Sequence, residues 1–297
     1  MKFDLVTVSM WLAGFLPLVI LGAWLEFDWR RRKQTERPPQ SEKLLRPPGW
    51  SLSLRLDKLQ DAFLSRVLLP CGLCAMAGVS AALLGRLLAI GAPAAWLGGT
   101  ALVFLALATA GAISLFQAFR LFREFHNVRL GLRGEQAVAE TLHEAADAGF
   151  RIFHDVPGGD NWNIDHVAVG APGVFLIETK ARRRRASRNG KPEHVVGYDG
   201  RALHFPYGDD LKAIPQAERN ARWLEEYLTK RTGERVNAQA VVVIPGWYVE
   251  TGGNFPVKVM NADYLKKYLR SASGKIEPAQ VRRLVAALDD KCRDVEF

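Results

Sequence analysis

Three charged residues lie in segments whose apolar pattern otherwise predicts buried β-strands. Asp165 interrupts the apolar segment 164–169, while Glu178 and Lys180 end the apolar segment 174–180. Residues two apart on a strand point to the same face, so Glu178 and Lys180 project together. Because an unpaired buried charge is costly, such side chains pair, lie at a strand end or bind a metal. A simple salt bridge between Glu178 and Lys180 is the alternative to a functional site.

The chemistry open to this set is hydrolysis of a phosphodiester. Two converging carboxylates repel each other unless a cation lies between them. A hard divalent ion such as Mg²⁺, or Mn²⁺ in its place, takes carboxylate oxygens, a backbone carbonyl and waters. Asp165, Glu178 and the carbonyl of Thr179 are therefore candidate metal ligands. Lys180 would then orient or activate an attacking water and stabilise the charge that builds on a phosphate.

Three further polar residues on predicted helices extend this candidate site. Glu135 lies near the apolar stripe of its helix, where a solvated glutamate is not expected, and is a further candidate for the metal's ligand shell. Gln216 and Asn220 lie one turn apart at the start of a later helix. They are placed to contact a DNA phosphate or a catalytic water.

These residues belong to motifs that occur in a defined order along the chain. The motifs are Gly131-Leu-Arg-Gly-Glu135, Asn163-Ile-Asp-His166, Gly173-Val-Phe-Leu-Ile-Glu-Thr-Lys180 and Gln216-x-x-x-Asn220. Over about residues 128–245 this pattern resembles the nuclease-related domain (NERD), a branch of the PD-(D/E)XK nuclease superfamily. The resemblance implies an αβββαβ nuclease core. Asp165, Glu178 and Lys180 would occupy its signature positions, with Glu135 as the helix carboxylate and Gln216 as the later polar residue.

Other polar and aromatic residues are less specific. His166 follows Asp165 but faces the other side of the strand, so we favour a structural hydrogen bond over catalysis. For Trp162, Trp223 and Trp247 we favour core or edge packing over base stacking.

A basic run follows the third predicted strand. It is a candidate for holding phosphates through charge alone, and its residues are Arg182, Arg183, Arg184, Arg185 and Arg188. A solvated loop or a lipid contact explains the run equally well.

The elements that must position these residues alternate between helix and strand. A helix containing Glu135 is ended by Gly149, and a turn at Asp199-Gly200 joins a hairpin. This order predicts a mixed α/β sheet with helices on both faces. The predicted strands are 150–155, 164–169, 174–180, 194–198, 202–206, 239–244 and 257–260, and the later helices are 214–230, 262–271 and 278–290.

The N-terminal part of the chain differs because its apolar residues form long tracts. No charged residue occurs from Leu5 to Leu25, and these 21 residues are long enough to cross a bilayer. Basic residues follow this tract, so we expect an uncleaved anchor and not a signal peptide. The tract 67–119, interrupted only by Arg86, suits two spans at 67–89 and 97–119.

Charge asymmetry predicts the topology. The loop 28–66 carries ten Lys and Arg residues and the turn 89–99 carries none. By the positive-inside rule the N-terminus lies outside and the loop is cytoplasmic. We therefore predict three transmembrane helices in an inner (cell) membrane, divided as a first helix in 1–27, a basic loop in 28–66, a helical hairpin in 67–119 and a cytoplasmic domain in 120–297.

Two features of the membrane part stay open. The stretch 52–64 is either an amphipathic helix on the membrane surface or the helix that leads into the second span. Cys71 and Cys74 form a CxxC with no second pair or His nearby, which favours apolar packing over a zinc or redox site.

The net charge of +9 and pI near 9.6 favour an anionic partner, either nucleic acid or lipid. We predict a membrane-anchored, Mg²⁺-dependent endonuclease or phosphodiesterase that hydrolyses DNA, with RNA as an alternative substrate. A non-catalytic nucleic-acid-binding or membrane-tethering module is the alternative, as is a membrane-organising protein whose basic loops bind anionic lipid. A homodimer is compatible with the small residues in the spans and with the pairing that the family resemblance implies.

Overall fold

The computed structural model describes residues 42–159, 162–184 and 193–296, together with eight helical positions between Ile20 and Arg31. Side chains at 63–69 and at Ala145 are outside this description. Most of the predicted first transmembrane helix also lies outside the described residues. The chain divides into a unit of 1–44 with 295–297 and a unit of 45–294.

Two long helices carry the apolar tract of the larger unit. Helix α1 (Trp50–Ala89) and helix α2 (Ala94–Ala146) pack against each other and are joined by a turn that contains Gly91 and Pro93. Both are long and apolar enough to cross a membrane, by length and composition alone. Three transmembrane helices were predicted, and the described part of the chain supports two such candidates.

The two helices differ from the prediction at their far ends. Helix α1 begins at Trp50, so the stretch 52–64 is the helix that leads into the apolar segment. Helix α2 continues past residue 119 to Ala146 without a break. No proline interrupts 120–146, so the predicted span 97–119 and the predicted helix that contains Glu135 form one continuous helix.

A five-stranded mixed sheet follows helix α2, consistent with the mixed sheet that the sequence predicted. Its strands are β2 (Arg151–Gly159), β3 (Trp162–Gly170), β4 (Gly173–Thr179), β8 (Ala238–Val243) and β10 (Lys258–Met260). Their order is β10-β8-β4-β3-β2, and β2, β3 and β4 are antiparallel while β8 is parallel to both β4 and β10.

The predicted hairpin does not join this sheet. It forms part of a separate four-stranded sheet made of β5 (Val195–Tyr198), β6 (Leu203–Phe205), β7 (Gly208–Asp210) and β9 (Tyr248–Thr251). The strand order is β7-β6-β5-β9. The outer strands β7 and β9 were not predicted because their short, polar sequences carry no alternating apolar pattern.

Helices cover both faces of the five-stranded sheet, as the apolar strands require. The helices after the first sheet strands are α3 (Ala213–Thr232), α4 (Ala262–Ser271) and α5 (Pro278–Cys292). Leu224 and Leu284, from α3 and α5, lie in one buried cluster with Leu176. Leu142 and Leu265, from α2 and α4, lie in the other. Short strands β1 (Leu44–Leu45) and β11 (Arg293–Val295) form a two-stranded sheet.

Candidate active site

Glu178 lies near the end of β4, where the strand leaves the centre of the sheet, and is 2% exposed. Its Oε1 accepts from Lys180 Nζ at 2.9 Å and from Gln216 Nε2 at 2.5 Å. Its Oε2 accepts from Asn220 Nδ2 at 3.1 Å. Lys180 Nζ also donates to Gln216 Oε1 at 3.0 Å. The residues predicted from β4 and from helix α3 therefore form one hydrogen-bonded cluster.

Asp165 lies on the neighbouring strand β3, next to Glu178. The antiparallel pairing of His166 with Ile177 places it there, and its Oδ2 accepts from the Thr179 backbone N–H at 2.7 Å. The carboxylates of Asp165 and Glu178 thus belong to adjacent strands, and their convergence on a metal ion stays a prediction.

Glu135 reaches this cluster from helix α2. A Cβ placed on Gly134 would lie 2.5 Å from the Cβ of Ala181, so only glycine lets the helix approach the end of β4 this closely. Glu135 is 6% exposed, and its Oε2 has no hydrogen-bond partner in the described part of the chain. Thr179 Oγ1 is also buried without a described partner. Gly134 therefore allows the turn of helix α2 that carries Glu135 to approach the end of β4.

Burial and mutual repulsion govern the charge of this site. Burial, followed by repulsion from Asp155 and Glu178, raises the pKa of Glu135 to about 8, against the opposing charge of Lys180. Burial, followed by repulsion from Glu178 and Glu135, holds the pKa of Asp165 well above its usual range. The carboxyl groups outnumber the lysine, so a bound cation would relieve their repulsion.

The donor set fits a hard divalent cation in its chemistry. Asp165 and Glu178 could supply carboxylate oxygens and Thr179 a backbone carbonyl, and the buried Oε2 of Glu135 has no hydrogen-bond partner in the described part of the chain. Among the described residues, however, no three His, Cys, Asp or Glu side chains form a cluster that could hold a metal ion. Mg²⁺ commonly binds through one or two carboxylates and keeps several waters, so it does not need such a cluster.

Asn220 is the second polar residue predicted on helix α3. It is 4% exposed, and its Nδ2 donates to Glu178 Oε2. A buried amide bound to a carboxylate orients that carboxylate. Contact of Asn220 with a DNA phosphate or a catalytic water stays a prediction.

The basic run is partly engaged within the protein. Arg182 forms an ion pair with Asp210, Arg183 donates to the carbonyl of His126 at 3.1 Å, and Arg184 donates to the carbonyl of Gly246. Arg185 and Arg188 lie outside the described residues. Contact of these arginines with nucleic acid stays a prediction.

The remaining histidine and tryptophan predictions concern packing. His166 is fully buried, and its Nδ1 lies 2.9 Å from Nδ1 of His154, a structural contact of the kind favoured from the sequence. Burial lowers the pKa of His154 to about 4 and that of His166 well below its usual range. Trp247 is a core residue, and its Nε1 donates to the carbonyl of Arg182 at 3.1 Å.

Asp155 is a site residue that the sequence did not reveal. It is fully buried with a φ of 50°, and it contributes to the raised pKa of Glu135. Its carboxylate accepts from Arg46 Nη1 at 2.9 Å, Ser51 Oγ at 2.7 Å and Asn163 Nδ2 at 2.7 Å. It thus ties the start of helix α1 to the sheet. An isolated carboxylate in a predicted strand carries no local signal of these distant partners.

The segment that carries the candidate site matches a known protein family. Residues 130–245 match the family model of the nuclease-related domain. No curated protein and no solved structure gives a significant match to the chain. The matched range includes Glu135, Asp165, Glu178, Lys180 and Gln216. Residues 130–245 of this chain are therefore a nuclease-related domain, a member of the NERD family.

Proposed function

We propose that this chain is a metal-dependent nuclease that hydrolyses phosphodiester bonds, with DNA as its substrate and RNA as the alternative. The observation that carries the proposal is the cluster of Glu178, Lys180 and Gln216 beside Asp165 at the end of the central strands. A match to the nuclease-related domain over the same residues supports it.

The residues divide into holding and reacting groups. Asp165, Glu178 and the Thr179 carbonyl would hold Mg²⁺ or Mn²⁺, with Glu135 completing the shell. When bound, such an ion stabilises charge on a phosphate and makes water more acidic. The Lys180 ammonium, which donates to Glu178 and Gln216, would stabilise the charge that develops on the phosphate. Glu135 would contribute to the ion's shell through its buried, unpartnered Oε2.

We further propose that helices α1 and α2 anchor the protein in an inner (cell) membrane, with the N-terminus outside and the nuclease-related domain in the cytoplasm. Large apolar side chains are exposed along both helices, among them Met76, Leu83, Leu102 and Phe116. Exposure of so large an apolar surface to water is energetically unfavourable, whereas contact with lipid is not. The basic loop 28–66 supports the orientation.

Lipid and a second copy of the chain are the proposed partners besides DNA. Arg55, Arg120 and Arg123 line a cavity of about 560 Å³ next to the apolar segments, where anionic lipid headgroups would lie. Small residues along α1 and α2 would allow close packing of two copies.

A second candidate function is a nucleic-acid-binding module on the same domain that does not turn over its ligand. The observation that favours it is the set of three donors already on Glu178, which satisfies this carboxylate without a metal. Carboxylates facing a phosphate weaken binding, so a pure binder gains nothing from Asp165 and Glu135.

The deciding experiment is cleavage of plasmid DNA, single-stranded DNA and RNA by the full chain in detergent micelles, with Mg²⁺, Mn²⁺ or EDTA. Glu178→Gln and Lys180→Met are expected to lower a metal-dependent rate at least about 100-fold. Glu140→Gln and Lys230→Met, at exposed helix positions, are the matched controls. Unchanged cleavage in both site variants would contradict the assignment. Salt-sensitive binding without cleavage in any metal would favour the binding module.

A further inference from the structure

A cavity of about 490 Å³ opens beside the Glu178 cluster. Gln216 and Asn220 belong to both, since each binds Glu178 and also lines the cavity. Its size is within the range typical of ligand sites. A group bound there would lie next to the atoms that the proposed function assigns to chemistry. The lining residues are Trp162, Asn163, Gln216, Arg219, Asn220 and Trp223.

Two tryptophans form its aromatic wall. Trp162 and Trp223 meet edge to face with ring centroids 5.1 Å apart, and Trp223 stacks on Tyr227 with an interplanar angle of 4°. The ring of Trp162 lies against Gly158, where an added Cβ would come within 2.3 Å of it. Trp162 is nevertheless 38% exposed. The wall is therefore held in place by packing while part of an indole stays open to a ligand.

The polar groups of the cavity suit a nucleotide. Arg219 is exposed on helix α3 and supplies a positive charge for a phosphate or a base edge. Asn163 also lines the cavity, and its Nδ2 donates to Asp155. Aromatic faces that accept any base, combined with a basic group, are the means by which proteins bind single-stranded nucleic acid.

We propose that this cavity takes an unpaired nucleobase of the substrate, stacked on Trp162, with Arg219 on its phosphate or edge. Single-stranded or locally unpaired nucleic acid is then the preferred substrate class, because a base inside a duplex cannot enter without being unstacked. The inference rests on the proposed function, since it places the base next to the hydrolytic cluster.

Binding without cleavage tests it. The full chain in detergent micelles and EDTA is titrated with a fluorescent single-stranded oligonucleotide and with a blunt duplex of the same sequence. Trp162→Ala is expected to weaken single-strand binding about tenfold, equivalent to about 1.4 kcal/mol. The preference for the single strand falls with it. Trp162→Phe retains most of the affinity because the phenyl ring also stacks.

Matched variants separate stacking from general loss of surface. Tyr264→Ala removes another exposed aromatic ring, and Arg222→Gln removes an exposed charge of helix α3 outside the cavity lining. Both are expected to bind like the wild type, whereas Arg219→Gln weakens single-strand binding. Equal affinities of Trp162→Ala and wild type would overturn the inference.

A second readout needs no variant. An oligonucleotide that carries 5-iodouracil crosslinks to aromatic side chains on irradiation, and the attached peptide is identified by mass spectrometry. Attachment at Trp162 supports the inference, and attachment only elsewhere overturns it. These results are distinct from failure of the proposed function, which is an absence of metal-dependent cleavage by the wild type whatever it binds.

Discussion

Gln216 Nε2 donates to Glu178 Oε1 at 2.5 Å, and the other end of the same amide accepts from Lys180 Nζ. A carboxylate only accepts and an ammonium only donates, so one orientation of the amide satisfies both groups. Helix α3 thereby holds the acid and the lysine of strand β4 in fixed relative positions.

Removal of this amide is expected to reduce activity without removing a charged group. Gln216→Leu should lower metal-dependent cleavage about 10- to 100-fold, because the partners of a metal ligand orient it. The apparent affinity for Mg²⁺, measured by titrating the rate, should weaken as well. Gln136→Leu, at an exposed position of helix α2, is the control. A wild-type rate and Mg²⁺ response in Gln216→Leu would show that the amide has no positioning role.

The raised pKa of Glu135 predicts a pH-dependent stability. Folding raises this pKa from its usual 4.5 to about 8. Between these values the folded state keeps a proton that the unfolded chain has released, so the free energy of unfolding falls as pH rises through this window. Glu135→Gln removes that loss. In EDTA, the free energy of unfolding of the variant relative to that of the wild type should rise between pH 5 and pH 8, by on the order of a few kcal/mol.

Thermal unfolding at pH 5, 6.5 and 8 measures this difference. Glu140→Gln removes an exposed carboxylate from the same helix and should track the wild type at every pH. Added Mg²⁺ should raise the Tm of the wild type more at pH 8 than at pH 5, because a ligating carboxylate must be ionised. A stability difference between Glu135→Gln and wild type that does not change with pH would refute the assigned pKa.

The close contact at Gly134 predicts a steric effect. Gly134→Ala brings a Cβ to 2.5 Å from the Cβ of Ala181, and a shift of helix α2 should cost about 1–3 kcal/mol and displace Glu135. Adding Ala181→Gly restores the space and should recover stability and activity. Gly99→Ala, on the same helix with no atom within 4 Å, should be neutral or stabilising. Failure of the double variant to recover would disprove the steric explanation.

The buried pair of Asp155 and Arg46 predicts that the nuclease-related domain needs the segment before helix α1. Arg46 Nη1 lies 2.9 Å from Asp155 Oδ2, and the Asp155 side chain is fully buried. Asp155→Ala should cost about 3 kcal/mol, because Arg46, Ser51 and Asn163 lose a shared buried acceptor, while Arg46 keeps its ion pair with Asp294. Asp289→Ala breaks a more exposed pair with Arg293 and should cost at most about 1 kcal/mol.

Truncation provides a second test of the same pair. A fragment that begins at residue 121 lacks Arg46 and Ser51 and should lose stability to a similar extent, with no further loss when Asp155→Ala is added. Denaturant unfolding of the four proteins forms a double-mutant cycle. Additive losses would show that the segment stabilises the domain through other contacts.

From the sequence alone we predicted the strands of the five-stranded sheet, in their order along the chain, and the candidate site residues Asp165, Glu178 and Lys180. Apolar periodicity is local, so it could be read from strands such as 174–180 and from the apolar tract 67–119. Glu178 and Asp165 could be identified because charges inside apolar strands conflict with burial. Gly131 and Gly134 belong to the motif that resembles the nuclease-related domain, but the sequence did not show that Gly134 lies against Ala181.

Only the tertiary structure decided which distant residues meet. Gln216 and Glu178 are far apart in sequence, and their hydrogen bond depends on strand register and on helix packing, which no local pattern encodes. The same holds for Asp155 with Arg46 and for Trp162 with Trp223. The outer strands β7 and β9 of the four-stranded sheet were missed for a related reason: they are short and polar, and they are held by pairing with β6 and β5 and not by an apolar pattern of their own.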